Sequence, residues 1–269
     1  MRDSMRLPKK PPRATLLVAG LAALAGLAGL LTLLAGCGGK EASFHYPSES
    51  LVFPRLGPDT PALFVELVND LRPGSQRSGE GGLITYRFPS DENWDQPVNQ
   101  IYYQALVQDL TQTDLVEVVP LRSQADYTLE VDLNHMACKV SRSAAGFALT
   151  GIAGGALGWV VSRNPAGTAL GAVIGVGAIP VPTKLRAVCE VTLRVYDGER
   201  ELFFERTCLG ETTKNRWEGI TSREDQRWVD EYLTVAVKRC NACLLGQLRQ
   251  ALAEAEGADG SGGTGEAGR

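Results

Sequence analysis

Val188-Cys-Glu-Val-Thr-Leu-Arg-Val-Tyr196, followed by Asp197-Gly198 and then Leu202-Phe-Phe-Glu-Arg-Thr-Cys208, is the stretch on which the fold turns. Cys189, Val191, Leu193 and Val195 fall on alternate positions, the period of a strand with one buried face. Asp-Gly between two such runs is a hairpin signal. Cys189 and Cys208 have the same parity on the inner face, which leaves two readings open, a disulfide between them or two buried thiols. Upstream, Tyr127, Leu129, Val131 and Leu133 alternate with Thr128, Glu130 and Asp132, predicting another half-buried strand. Ala62–Val68, Leu83–Phe88 and Leu115–Val119, the last closed by Pro120, read as further strands. Residues 69–74 read as a turn and 75–82 as a mobile loop.

Two segments carry the helical period instead. Val98, Ile101, Tyr102, Ala105, Leu106 and Leu110 line one face of a helix over 98–111. Trp228, Tyr232, Val235, Ala236, Leu244, Leu248 and Leu252 mark the buried side of a helix over 224–255, with Ser222 and Asp225 as its start signal. The expected fold is therefore α+β: a small mixed or antiparallel sheet with helices packed on one face, spanning 62–256. Gly-, Ser- and acid-rich residues 257–269 have nothing to bury and are expected to be disordered.

The N-terminus sets the expected location. Arg2, Arg6, Lys9, Lys10 and Arg13 precede an apolar run from Leu16 to Leu34, and Leu34-Ala-Gly-Cys37 closes it. A basic start, an apolar core and small residues before a cleavage point make an export signal over 1–36. The cysteine makes it a lipobox, with cleavage between Gly36 and Cys37 and a covalent lipid on Cys37. Gly38 rather than Asp follows, which by resemblance to other bacterial lipoproteins favours the outer membrane. Residues 37–61, with Pro47, Pro54, Pro58 and Pro61, read as a lipidated tether. Removing 1–36 takes five basic residues and one acid from the 27 and 31 of the chain, so the net charge moves from −4 to about −8. That charge argues against a nucleic-acid partner.

Between the strands lies an insert, 144–181. Ala144–Val161 has no charge, Ser162-Arg-Asn-Pro165 makes a polar turn, and Ala166–Val181 is again uncharged. Gly151 and Gly155, Gly154 and Gly158, and Gly167, Gly171 and Gly175 are spaced by four. On a helix that spacing cuts a groove into which a neighbouring backbone can pack. The expectation is an apolar glycine-zipper hairpin that enters the membrane or is buried in an oligomer beside it, with Trp159 at the interface.

Catalytic signals are missing. His45 and His135 have no carboxylate or cysteine at a ligand spacing, so no metal site is expected. Cys240-Asn-Ala-Cys243 lies mid-helix without the context of a redox or haem motif. It reads as core cysteines or as one disulfide to Cys138 or Cys208. Asp91, Glu92 and Asp95 around Trp94 read as a solvated loop, and Trp217 as a surface anchor. No phosphate loop or nucleophile elbow occurs. The expected protein is not an enzyme and, apart from its lipid, carries no cofactor.

Lipobox, tether, the Ala125-Asp-Tyr-Thr-Leu-Glu-Val131 strand, the small-residue insert and the Ala187-Val-Cys-Glu-Val-Thr-Leu193 strand together resemble the TraT complement-resistance and surface-exclusion lipoproteins. More distantly, the order of elements is similar to the curli-secretion lipoprotein CsgG and the TolB N-terminal domain. The resemblance implies an outer-membrane homo-oligomer whose hairpins enter the bilayer, with membrane lipid as partner. The alternative is an accessory lipoprotein that binds an envelope protein machine, such as a synthase or a transport system.

Overall fold

The computed structural model describes residues 42–49, 51–53, 60–79, 82, 84–162, 165, 168–169, 180–218 and 225–261. The chain divides into two units, Met1–Lys40 and Glu41–Arg269. The first lies wholly outside the described residues, and with it the Gly36–Cys37 cleavage and lipidation site. Gly167, Gly171, Gly175 and Ser222 also lie outside them, as does the side chain of Trp159.

The second unit is built on a seven-stranded mixed sheet. Its strands are β1 (Ala62–Val65), β2 (Asn69–Asp70), β3 (Thr85–Phe88), β4 (Glu117–Val118), β5 (Tyr127–Arg142), β6 (Val181–Tyr196) and β7 (Leu202–Glu218). The order is β4-β1-β5-β6-β7, with β2 and β3 also lying along β5. Strands β4, β1 and β2 run parallel to their neighbours, while β3 and the β5-β6-β7 meander are antiparallel. Helix α1 (Gly74–Arg77) precedes β3, α2 (Val98–Gln112) precedes β4, and α3 (Ala144–Ser162) follows β5. After β7 come α4 (Asp225–Trp228), a π-helical turn at Val229–Leu233 and α5 (Thr234–Ser261).

The alternation read from β6 holds along its length: Val181, Leu185, Ala187, Cys189, Val191, Leu193 and Val195 are buried. The intervening residues form the outer face, tied by polar ladders. Arg194 bonds Glu205 and Asp132, each at 2.7 Å, and Thr192 bonds Thr207 at 2.8 Å and Asn134 at 2.9 Å. In β5 the register shifts between Leu133 and His135. The extra residue switches the buried set from Leu129, Val131 and Leu133 to Met136, Cys138 and Val140. Helix α2 buries every apolar position assigned to it, and Asp109 as well. Helix α5 lies on β7 so closely that a Cβ added at Gly210 would sit 1.9 Å from the Ala236 carbonyl oxygen and 2.7 Å from the Cys240 nitrogen.

Four sequence expectations need correcting. The 37–61 tether is extended where described, but part of it is docked. Ala42 is buried and bridges to Trp94, and Phe44, Tyr46, Leu51 and Phe53 pack on the core. The 75–82 loop opens with α1, whose Gln76 reaches His135 at 2.6 Å and accepts the Met136 N–H at 3.1 Å. The β6–β7 hairpin forms as expected, its connection running Asp197–Glu201 with Arg200 at a positive φ of 67°. Val235 lies 37% exposed because the π-helical turn shifts the helix phase just before it. The last helix also continues to Ser261, past the 256 boundary.

Candidate functional site

The insert leaves and rejoins the sheet at one point. Ser143 donates its N–H to the Pro182 carbonyl at 3.0 Å, and the Ser143 hydroxyl accepts the Gly146 N–H at 3.2 Å as an N-cap. Gly146 lies against Pro182, where an added Cβ would approach the ring at 3.1 Å. From this root α3 runs 19 residues without a charge, about 28 Å. Leu149, Ile152, Leu157 and Val160 on it are 64–69% exposed. Such a row of large apolar side chains left uncovered is unusual for a surface helix. Among the described residues no helix is long and apolar enough to cross a membrane. The zipper positions Gly151, Gly154, Gly155 and Gly158 fall within α3; the partner glycines of 166–181 lie outside the described residues, and Val181 belongs to β6.

The sheet end at this root is basic. Lys139 and Arg142 of β5, Lys184 and Arg186 of β6, and Lys214 and Arg216 of β7 lie within Cys138–Arg142, Val181–Arg186 and Thr212–Trp217, stretches with no acidic residue. Strand register places Lys139 opposite Arg186, Ser141 opposite Lys184, and Pro182 opposite Trp217. Trp217, 72% exposed, ends the row. Arg186 is held by the Glu211 carboxylate, with both contacts at 2.7 Å, and this pairing raises the arginine pKa above its ordinary value. Arg216 bonds Glu231 at 3.1 Å and lies over the Tyr232 ring, while Arg142 lies over Tyr86. A cleft of about 340 Å³ opens here, lined by Arg142, Lys184, Arg216, Trp217 and Pro182 among others.

No family model matches this chain, and no curated protein matches it. The solved structures similar to it include protein XCC0632 from Xanthomonas campestris, of family DUF330, at 12% identity and a TM-score of 0.39, covering 81% of this chain and 99% of that one.

A second polar centre lies between α2 and α5 and went unnoticed in the sequence. Asp109, fully buried, meets the Lys238 ammonium at 2.5 Å and accepts from Asn241 Nδ2 at 2.7 Å and from the Tyr46 hydroxyl. Tyr102 donates to Asn241 Oδ1 at 2.6 Å, and Lys238 also reaches the Glu49 carbonyl at 2.7 Å. Burial, and then the neighbouring Asp109 carboxylate, raises the Tyr46 pKa; burial does the same for Tyr102. Every member is occupied by another, so the cluster fastens the 42–49 strap onto the helices rather than offering a site for ligand.

The cysteines pair differently from the Cys189–Cys208 alternative. Cys208 is bonded to Cys243 of α5, one of the two partners open to the CxxC motif, and Cys189 is a free buried thiol. The register explains this: Cys208 faces Val191 and Cys189 faces Gly210, so the two are diagonal neighbours, whereas α5 passes directly over Cys208. Burial raises the Cys189 thiol pKa, with contact to Cys240 adding to it, and pushes Cys138 up to about 12. These thiols are inert as nucleophiles.

The remaining sequence-selected residues are engaged within the fold. His45 meets Asp230 at 3.2 Å, and His135 meets Gln76. Asp91 opens a 3₁₀ turn and bonds Arg72 at 2.7 Å and Arg77 at 3.2 Å, so its basic partner is internal. Among the described residues no His, Cys, Asp or Glu group is arranged to hold a metal ion.

Proposed function

We propose that this protein is an outer-membrane lipoprotein, anchored through Cys37, that forms a homo-oligomer by way of its glycine-rich insert and serves a structural, barrier-like role without enzymatic activity. What supports the reading is α3: an uncharged helix with Leu149, Ile152, Leu157 and Val160 uncovered, rooted where the chain leaves and returns at Ser143 and Pro182. In lipid, leucine gains nothing by leaving the acyl chains, so association rests on close packing at small residues. Gly151, Gly155, Gly171 and Gly175 are the positions suited to it.

The test is the mass of the native complex extracted in mild detergent. A large homo-oligomer is expected, and Gly171→Leu with Gly175→Leu is expected to reduce it to smaller species. A monomer co-purifying with a different envelope protein overturns the oligomer and favours the accessory-lipoprotein reading.

A further inference from the structure

We infer that the basic rim and cleft at the root of the insert form a docking surface for the phosphate headgroups of an anionic bilayer. This rests on the insertion of α3 proposed above and names the chemistry met by the domain where α3 enters. The first observation is charge. Six cations occupy the adjoining ends of β5, β6 and β7, against Glu218 at the end of β7 and Glu211 bonded to Arg186, and Lys139, Lys184, Arg186 and Lys214 are exposed. Lys139 and Arg186 face each other across the β5–β6 pair, a like-charge placement that costs stability in water and that Glu211 offsets in part by binding Arg186. It becomes favourable where anions lie alongside.

The second is position. The cations stand on both faces of the sheet end: Lys139, Lys184 and Arg186 on the outer face, Lys214 on the inner, because Lys214 pairs with core-facing Leu185. They lie on the strand ends beside the point where an uncharged helix with exposed leucines begins. The third is the aromatic. Trp217, beside Pro182, ends the rim as an amphipathic ring at the level suited to headgroups. Apolar helix, tryptophan and lysines thus follow one another in the order of a bilayer section, from acyl chains to interface to phosphate. Long lysine stems let the charges reach the phosphates while their methylenes stay near the apolar root. Elsewhere on the outer face, cations alternate with acids, as in Arg194 between Glu205 and Asp132. An excess of positive charge is therefore concentrated at this end.

The experiment is vesicle co-flotation of the purified mature full-length protein, comparing phosphatidylcholine vesicles with vesicles containing 30% phosphatidylglycerol. The probe variant is Lys139→Ala/Lys184→Ala/Lys214→Ala, whose positions are exposed and outside the core. Each basic side chain near an anionic surface strengthens partitioning about fivefold, so the triple variant should bind anionic vesicles roughly a hundredfold more weakly. Its binding to neutral vesicles should match that of the unaltered protein, and inorganic phosphate should compete no better than chloride at equal ionic strength. Equal flotation of both proteins with both vesicle types overturns the docking surface and leaves α3 insertion standing. Failure of the unaltered protein to float with either overturns insertion itself. Displacement by inorganic phosphate beyond the salt effect reassigns the cleft to a free anion and overturns the bilayer as occupant.

Discussion

Gly210 is a position where one methyl group decides the packing of two elements. The Ala236 carbonyl oxygen and Cys240 nitrogen of α5 stand where its Cβ would be, so α5 lies on β7 only because no side chain intervenes. Gly210→Ala has to push the helix off the strand, and we expect a loss of about 3 kcal/mol or more in urea unfolding, at the upper end for overpacking. Asp109 is the second such residue. Asp109→Ala strands Lys238 and Asn241 without their acceptor, and the expected loss is about 3–5 kcal/mol; paired replacement by Asp109→Leu and Lys238→Met should recover most of it. A double-mutant cycle in urea over Asp109→Leu, Lys238→Met and the pair reads this directly, and losses that simply add would show that the ion pair does not couple. Asp109 sat in plain view on the buried stripe of α2, but its partners Lys238 and Asn241 come from more than a hundred residues away. Periodicity reports the face a residue is on, not what meets it there.

At the scale of elements, the strands and helices legible in the sequence were those whose period is set locally. β6 and α2 match their expected alternation and stripe residue for residue, because each buries one face along its whole length. What the sequence hid are departures from period: the β5 irregularity at Leu133/His135, the π-helical turn at Val229–Leu233 and the docked strap. Each depends on a distant surface, as when Gln226 of α4 accepts the Ser43 N–H at 3.1 Å and donates to its carbonyl at 2.6 Å. The clasp between β2, α1 and the 3₁₀ turn makes a pH prediction. Burial opposes ionisation of Asp70, but hydrogen bonds and charge from Arg72 outweigh it and hold the carboxyl below its ordinary value. A lowered folded pKa gives stability that is present above the unfolded value, near 4, and lost as pH falls through the folded one. Asp70→Asn should therefore cost about 1–2 kcal/mol at pH 7 and less at pH 2, because the charge it removes is itself being lost as the pH falls. Chemical unfolding at the two pH values checks it; an undiminished cost at pH 2 would contradict it. The Cys208–Cys243 link between β7 and α5 makes another. Reduction should lower stability by about 2–4 kcal/mol, read as a fall in Tm on adding dithiothreitol.

At the scale of the molecule, the docked strap changes what lipid on Cys37 would do. In sequence, four residues separate Cys37 from the docked Ala42. Ser43 is held by Gln226 of α4, and α4 follows β7, whose last residues include Trp217 at the root of the insert. On the proposed reading, lipid and α3 attach one end of the domain to one bilayer, each able to hold it alone. Replacing Cys37 by Ala, with a conventional export signal supplied, should leave the protein in the membrane pellet after a carbonate wash. Leu149→Asp, Ile152→Asp, Leu157→Asp and Val160→Asp, made together with Cys37 intact, should also leave it there. These four positions are exposed, so the folded domain should tolerate the change. Only the combination of both sets should move the protein to the supernatant. If loss of Cys37 alone releases it, α3 is not an anchor, and the apolar helix must instead be covered by protein.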